Sequence, residues 1–437
     1  MKRDGRDRDG EAREARFLAV DFFCGAGGTT RGLIDAGGYV IAGVDKDANC
    51  EATYSDPENN ANVALDREPP RFLHRDVFPR SGRHPKGEQK EVMAELKELI
   101  GRYGAQAPRT PLLFAVCAPC QPFTQLSRKE MSEARRAKRA RDAGLLKEAC
   151  RFIERFRPAM VLSENVAGID DPKYGGVWDE FRGDLERMGY VTGSKVVCTS
   201  RFGIAQYRRR SILMAVRRRL VRPARFADLL ELELLVPEAD PGAVMLTVAQ
   251  AIGHLPPLRA GEEHPDIPNH KARALSEINH RRLAAAKPGE SNAYMAATEH
   301  GDLTLDCHRR VNEKARNRCF SDVYTRMRPS EPSPTITTRC VSLSNGRFGH
   351  YDMSQVRAIS VREAAALQSF PQTYRFHTGG ETEPAARMVG NAVPPKLACF
   401  FAGYLADSLD LGSPRARSRT WSSRADRRRV RPHAGCC

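Results

Sequence analysis

Two cysteines three residues apart, Cys117 and Cys120 in "LLFAVCAPCQPFTQ" (112–125), close an apolar run, and Pro119 and Gln121 bracket the second. Three chemistries use such a pair. A zinc site needs four ligands, and no second Cys-x-x-Cys pair lies at a suitable spacing. A thioredoxin-like redox pair opens a helix in a much smaller domain. A single nucleophile needs one thiol at a strand end, with a nearby cation or helix N-terminus to favour the thiolate. Cys120 follows the strand end and Pro119 restricts its backbone, whereas Cys117 still belongs to the apolar run. On these residues alone, a reactive Cys120 and a plain buried cysteine both stay open.

Other candidates also follow apolar runs. "DFFCGAGG" (21–28) places Gly25, Gly27 and Gly28 where backbone amides can approach a ligand closely. The pattern Gly25-x-Gly27-x-x-Thr30 lacks the third glycine of the dinucleotide fingerprint, so a purely structural tight turn also fits. Asp45 ends "YVIAGVD" (39–45) and is the kind of acid that binds ribose hydroxyls. Asp76 in "RDVF" can accept from an adenine amino group. Taken singly, each is equally a surface acid.

Such residues need strands to carry them. "RFLAVDFF" (16–23), "YVIAGVD", "PLLFAVC" (111–117) and "AMVLSEN" (159–165) read as buried parallel strands, with helical patterns such as "LLKEACRFIERF" (145–156) between them. This alternation predicts an open α/β sheet, in which ligands gather at the carboxyl ends of the strands, and the unusual residues fall there. "YVTGSKVVCTSRFGIAQYRRRSILMAV" (190–216) reads as two strands joined by a loop, an antiparallel pair that finishes the sheet. Beyond residue 220, proline-containing segments separate weakly periodic pieces, which predicts a separate small domain over 220–355. Residues 356–411 regain helical order in "SVREAAALQ" and "PPKLACFFAGYLADSL".

Composition narrows the class of partner. The 437 residues are 41% hydrophobic and carry a net charge of +16, which favours a polyanion, chiefly nucleic acid. Residues 412–437 hold eight arginines against one aspartate and have almost nothing to bury, so this tail and residues 1–15 are expected to be disordered. No apolar run reaches the ~18 residues of a membrane span, and the N-terminus lacks the apolar core of a signal peptide. A cytoplasmic protein with reduced thiols is expected.

Read in order, "DFFCGAGG", "APCQP", "SENVAGI", "QYRRR", "SVREAAALQSFP" and "GNAVPP" resemble the motifs of the cytosine-5 DNA methyltransferase family, over about residues 17–405. "APCQ" departs from the commoner Pro-Pro-Cys-Gln but keeps Pro119 and Cys120. The resemblance implies a Rossmann-like S-adenosylmethionine-dependent methyltransferase sheet over 16–219, completed by 356–411, and a second, smaller target-recognition domain over 220–355. It also implies a mechanism. The Cys120 thiolate adds to carbon 6 of cytosine, making carbon 5 able to attack the methyl of S-adenosylmethionine. Glu164 matches the protonated carboxyl at ring nitrogen 3, Arg210 the guanidinium at oxygen 2, and Arg208 a residue that orders the site. By the same matching, Phe23 stacks on the cofactor adenine and the Gly25–Gly28 turn, with Gly27, passes its methionine portion. Asp45 binds ribose, Asp76 the adenine amino group, and Asn391 brings the C-terminal helix back to the pocket.

A cytosine in a duplex has to be flipped out to reach a thiol. Residues 121–143, with seven basic and three acidic side chains, are read as a mobile loop that clamps the phosphate backbone, with a solvated charged helix as the alternative. Residues 307–347, with nine basic and three acidic side chains, suit a DNA-facing rim, and "PSPTITTR" (332–339) resembles the Thr-rich stretch found there in the family. The expected partners are double-stranded DNA and a companion restriction endonuclease, for a monomer that needs no metal or membrane. Rival readings are a transfer-RNA cytosine-5 methyltransferase, a catalytically silent DNA-binding relative and a nicotinamide dehydrogenase.

Overall fold

In β1 (Phe17–Phe22) every side chain is buried, Leu18, Val20 and Phe22 on one face of the sheet and Phe17 and Ala19 on the other. A strand hidden on both faces requires helices on both sides. The computed structural model describes residues 14–63, 68–119, 133–169, 176–222, 234–239, 244–309 and 320–409. The expectations for residues 1–13, Cys120, 121–132 and the tail from 410 lie outside these.

The chain continues through α1 (Gly28–Asp35), β2 (Gly38–Asp45), the short α2 (Glu51–Tyr54) and α3 (Pro57–Asn60), β3 (Arg71–His74) and α4 (Gln89–Gln106). Then follow β4 (Leu112–Val116), α5 (Glu133–Phe156), β5 (Met160–Val166), α6 (Val177–Arg187), β6 (Tyr190–Cys198) and β7 (Arg209–Arg217). The sheet order is β3-β2-β1-β4-β5-β7-β6. The first five strands are mutually parallel, while β7 lies antiparallel between β5 and the edge strand β6, as the 190–216 pattern predicts. Parallel strands bring the carboxyl ends of β1, β2, β4 and β5 to one edge of the sheet.

Two features differ from the sequence reading. β3 has only four residues, "RFLH", with a single fully buried side chain, too short for a period-2 pattern to register. Residues 133–143, read as part of a loop, are helical, because α5 starts at Glu133, well before its apolar stripe. Their Ala, Arg, Lys and Glu content favours helix without any apolar periodicity.

Val92, Leu96, Phe152, Ile153, Trp178 and Phe181 cover one face of the sheet, from α4, α5 and α6. Leu33 of α1 and Leu397, Phe401 and Leu405 of α12 (Pro395–Asp407) cover the other. These two helices touch at Gly32, where a Cβ would stand 2.3 Å from the Pro395 carbonyl oxygen.

Between β7 and α12 the described chain forms α7 (Val248–Ile252), α8 (Glu277–Ala285), α9 (Asp306–Arg309), α10 (Val361–Leu367) and α11 (Thr382–Asn391), joined by long irregular stretches. Val248, Met327, Ile336 and Phe348 share one apolar core with Leu367, Phe370 and Val389. Irregular buried backbone needs donors for its carbonyls. Buried arginines supply them. Arg326 donates from Nη1 to the carbonyls of His350 and Asp352 (both 2.8 Å) and Gln355 (3.0 Å), and from Nε to Ala286 (2.9 Å). Arg362 does the same for Pro268 (3.0 Å), Pro371 (3.2 Å) and Tyr374. Arg357 donates twice to Glu363, at 2.7 Å each, and burial brings both Arg326 and Arg362 down to about 10. Among the described residues, no helix is long and apolar enough to cross a membrane.

Candidate active site

At the end of β1 the backbone turns sharply, with Phe23, Gly25 and Gly27 all at positive φ (61°, 51° and 89°). Positive φ is uncommon for a bulky residue such as Phe23. The turn is tied to the neighbouring strand. Phe23 N–H donates to the Val44 carbonyl (2.7 Å), Gly25 N–H to Asp45 Oδ2 (2.9 Å), and Asp47 N–H to Asp45 Oδ1 (2.9 Å). The Asp45 carboxylate therefore locks the glycine turn to the end of β2, and burial raises its pKa against the opposing pull of those amides. A Cβ at Gly25 would meet nothing within 4 Å, so the turn faces open space. At Gly27 it would strike Asn60 Nδ2 at 2.5 Å and the Tyr374 hydroxyl at 2.8 Å, which makes this glycine a packing requirement.

Asp21, which the motif reading passed over, lies fully buried under the turn. Thr30 Oγ1 donates to its Oδ2 (2.8 Å), its Oδ1 has no hydrogen-bond partner among the described residues, and burial raises it to about 7. Only its surroundings, not its type, mark it out.

The β4–β5 pair builds the next part. Ser163 Oγ donates to the Val116 carbonyl (2.5 Å) and Asn165 Nδ2 to the Ala118 carbonyl (3.4 Å), so β5 holds the segment that leads into Cys120. Burial drives the Cys117 thiol well above its ordinary range, with Glu164 adding to the effect. In the β5–β7 ladder Glu164 faces Ile212, which places Arg210, two residues from Ile212, on the same face as Glu164. Arg210 Nε lies 2.8 Å from Glu164 Oε1, with the side chains 13% and 11% exposed. The pair is close but not aligned as a hydrogen bond, since Oε1 has no hydrogen-bond partner among the described residues.

Arg208, two residues before Arg210 and lining the same cleft, stitches three motifs together. Its Nη1 donates to the carbonyls of Ile336 (3.0 Å) and Gly390 (3.1 Å), and Nη2 to that of Ala392 (3.4 Å). Burial, then Arg210, lowers it to about 9. The Thr-rich stretch continues the contact. Tyr207 N–H donates to the Ser333 carbonyl (2.8 Å), and Ser333 N–H to that of Ala205 (2.9 Å). Gly390 lets α11 press on this stretch, for a Cβ there would sit 2.3 Å from the Thr337 carbonyl carbon.

All of this surrounds one cleft of about 1610 Å³. Phe23, Gly25, Gly28, Asp45 and Asp76 line one part of it, and Glu164, Arg208, Arg210 and Asn391 another. Gly27 does not line it, and Cys120 lies just past Pro119, the last lining residue described before it. The sequence reading missed Lys46, Asp47 and Asn49 on the lip after β2, while Thr337 and Thr338 of the Thr-rich stretch and Asn345 of the basic rim segment it had pointed to also line the cleft. Their residue types are ordinary, and only the fold gathers them.

Residues 94–406 match the family model for C-5 cytosine-specific DNA methylases. The chain belongs to that family. A relative from Herpetosiphon aurantiacus, type II methylase M.HgiDII, is 31% identical over 393 residues, covering 90% of this chain and 95% of the relative. Type II methyltransferase M1.HphI from Haemophilus parahaemolyticus is 32% identical over 254 residues, 58% of each chain. Among solved structures, a Spodoptera frugiperda DNMT2 variant superposes with a TM-score of 0.50 at 16% identity, over 89% of this chain and 99% of that one. That likeness is one of fold.

Cytosine-5 DNA methylases take their methyl group from S-adenosyl-L-methionine. The cleft of this methylase suits that donor. The family match begins at residue 94 and so leaves out the glycine turn, but the turn's geometry speaks for itself: open space over Gly25, an aromatic ring at Phe23, and a carboxylate at the end of β2 with lone pairs left for hydroxyls.

Proposed function

We propose that this methylase transfers a methyl group to carbon 5 of a flipped-out cytosine in a specific duplex DNA word, through a covalent bond to Cys120. The observation that carries this reading is the carboxyl and guanidinium of Glu164 and Arg210, 2.8 Å apart on one face of the β5–β7 ladder at the cleft. Neighbouring atoms on one edge of cytosine, nitrogen 3 and oxygen 2, call for such a pair.

The Cys120 thiolate forms a bond to carbon 6, Glu164 gives a proton to nitrogen 3, and Arg210 holds oxygen 2, so the ring gains electron density at carbon 5. S-adenosylmethionine, when bound, supplies an electrophilic methyl group. Phe23 and Asp45 orient the adenosine portion, with Asp76 at the adenine amino group and Asn391 closing the C-terminal side. Once carbon 5 carries the methyl, its proton leaves to water, the carbon–sulfur bond breaks to return the thiolate, and nitrogen 3 gives its proton back to Glu164. Flipping the base costs a few kcal/mol, about what stacking and pairing contribute at one position.

Residues 220–355 are proposed to choose the DNA word, since the Thr-rich stretch at their end forms the opening opposite the sheet. The reading includes a monomer acting on chromosomal DNA in the cytoplasm. A companion restriction endonuclease is part of it, suggested by the type II names of the relatives.

The test is expression in a host without cytosine methylation, followed by bisulfite sequencing of its DNA and RNA. A repeated protected word in DNA is expected; protection confined to RNA would overturn the reading. With DNA containing 5-fluorocytosine, whose carbon-5 fluorine cannot leave as a proton, the native protein should form a covalent complex and Cys120→Ala should form none.

A further inference from the structure

Among the described residues four asparagines line the cleft, and an amide is the side chain that offers a donor and an acceptor side by side. Three of the four have other work. Asn49 Nδ2 donates to Asp47 Oδ1 (2.7 Å) on the lip after β2. Asn165 donates to the Ala118 carbonyl (3.4 Å) and accepts from the Val166 N–H (2.8 Å), so both ends of its amide are used inside the sheet. Asn391 stands at the end of α11, on the side given to the cofactor. Asn345 is the one on the wall that the 220–355 block supplies. The threonines beside it serve the loops: Thr335 Oγ1 donates to the Tyr207 carbonyl (2.8 Å), and Thr337 Oγ1 accepts from the Arg339 N–H (3.3 Å).

Asn345 ends a short turn, Leu343–Asn345, that is anchored from both sides. Val341, Leu343 and Phe348 are only 2–3% exposed and enter two apolar clusters, whereas Ser342 is half-buried and Ser344 and Asn345 are exposed. Tyr324 N–H donates to the Leu343 carbonyl (2.8 Å), Asn345 N–H to that of Ser342 (3.2 Å) and Ile359 N–H to that of Phe348 (2.9 Å). Gly346, at φ 146°, turns the chain back towards the core. On this platform the polar side chains bond one another. Asn345 Nδ2 donates to Ser344 Oγ (3.1 Å), which lies 3.0 Å from Ser342 Oγ. One Nδ2 hydrogen is thereby used and the rotation of the amide is restrained, while the second Nδ2 hydrogen and Oδ1 have no partner among the described residues.

We propose that Asn345, held by Ser344 and Ser342, reads an adenine that stays stacked in the duplex near the flipped cytosine. This rests on duplex DNA being the substrate and on 220–355 choosing the word. The major-groove edge of adenine presents the complementary pair, so Oδ1 accepts from the N6 amino group and Nδ2 donates to N7. The other bases offer less. Guanine shows two acceptors there, which repel Oδ1, cytosine a donor alone, and thymine an acceptor beside a methyl group. Because the turn and its hydroxyls order the amide in advance, little side-chain freedom is lost when the base arrives. The methylated word therefore contains an adenine at a fixed distance from the target cytosine, on one strand or the other.

The test is bisulfite sequencing of a duplex library randomised on both sides of one cytosine, its strands joined by a hairpin so that flanking bases stay readable. The library is methylated by the full-length protein and by Asn345→Ala, Asn345→Asp and Ser344→Ala. The native protein should require adenine at one position of the word. Asn345→Ala should lower that preference about tenfold or more, leaving the other positions and the melting temperature unchanged. Asn345→Asp keeps only acceptors, which suit the cytosine amino group, so preference should move from adenine to cytosine at the same position. Ser344→Ala should weaken the preference by a smaller factor. A native word without an adenine–thymine pair, an unchanged word in Asn345→Ala, or equal relaxation at every position would overturn the assignment of Asn345 while the substrate reading stands. Native protein that methylates RNA and no duplex would overturn the substrate reading, and Asn345 would lose its role with it.

Discussion

Glu164 and Thr337 face the same cleft, but they are held there in different ways. Glu164 sits in a strand whose residues meet numbered partners on β7, between strands buried on both faces. Thr337 sits on irregular chain, pressed against Gly390 and hung from Arg208, in a region whose carbonyls are satisfied by buried guanidiniums. In the sheet half, backbone order does not depend on the side chains proposed to react, so chemistry and stability should be separable. In the loop half the polar side chains are themselves the scaffold, and removing one leaves several buried partners unsatisfied.

The largest effect should come from a change that tests this separability. Glu164→Gln should lower kcat by about 10²–10⁴-fold, the range of general acid catalysis, with the melting temperature and cofactor affinity nearly unchanged. Asp45→Ala should show the reverse bias, weakening cofactor binding by calorimetry more than it lowers kcat at saturation. Equal loss of cofactor binding in both variants would break the division of the sheet edge into a reacting part and a cofactor part.

Next in size is Arg357→Ala, which strands the Glu363 carboxylate, 1% exposed, with its His350 neighbour 3.4 Å away. Breaking a buried pair this way costs about 3–5 kcal/mol. Hydrogen exchange should then rise over 248–376 while the strands of the sheet stay protected. Uniform loss of protection would show that the two halves unfold as one.

The smallest effect is a difference in pH response. Burial holds His350 down at about 4 against an ordinary 6.5, so between those values the unfolded chain takes up a proton that the folded one refuses. Stability from this group is full above 6.5 and falls as the pH drops towards 4. Asp21 has the opposite sign: raised from 3.8 to about 7, it stabilises fully below 3.8 and loses its contribution as the pH rises through 7. Each is worth on the order of 3–4 kcal/mol at most. Denaturant midpoints should show His350→Gln gaining on the native protein at pH 5 relative to pH 7, and Asp21→Asn gaining at pH 8 relative to pH 6.

Much of the sheet half was legible in the residues alone. The runs containing Val20, Val44, Val116 and Leu162 are apolar enough to be strands and end at residues with chemistry to offer, so the glycine turn, Asp45 and Glu164 could be placed on one edge. Gly27 shows where motif matching reaches its limit. It belongs to the same turn as Gly25, yet its missing side chain makes room for Asn60 and Tyr374, and the turn's spacing alone gives no sign of that. Arg208 and Arg210 likewise stand two residues apart on one cleft, yet one pins loops and the other meets Glu164.

Sequence by itself determined the strand order of charged and apolar residues, the antiparallel pair that closes the sheet, and the residue types gathered at its edge, because alternation and turn chemistry are local and act within a few residues. Only the tertiary structure decided that Thr337, Thr338 and Asn345 face those residues across one cleft. It also decided that buried Arg326 and Arg362 hold the intervening loops. A guanidinium reaching carbonyls 24 to 40 residues away leaves no periodic trace, since its partners are backbone atoms that every residue possesses.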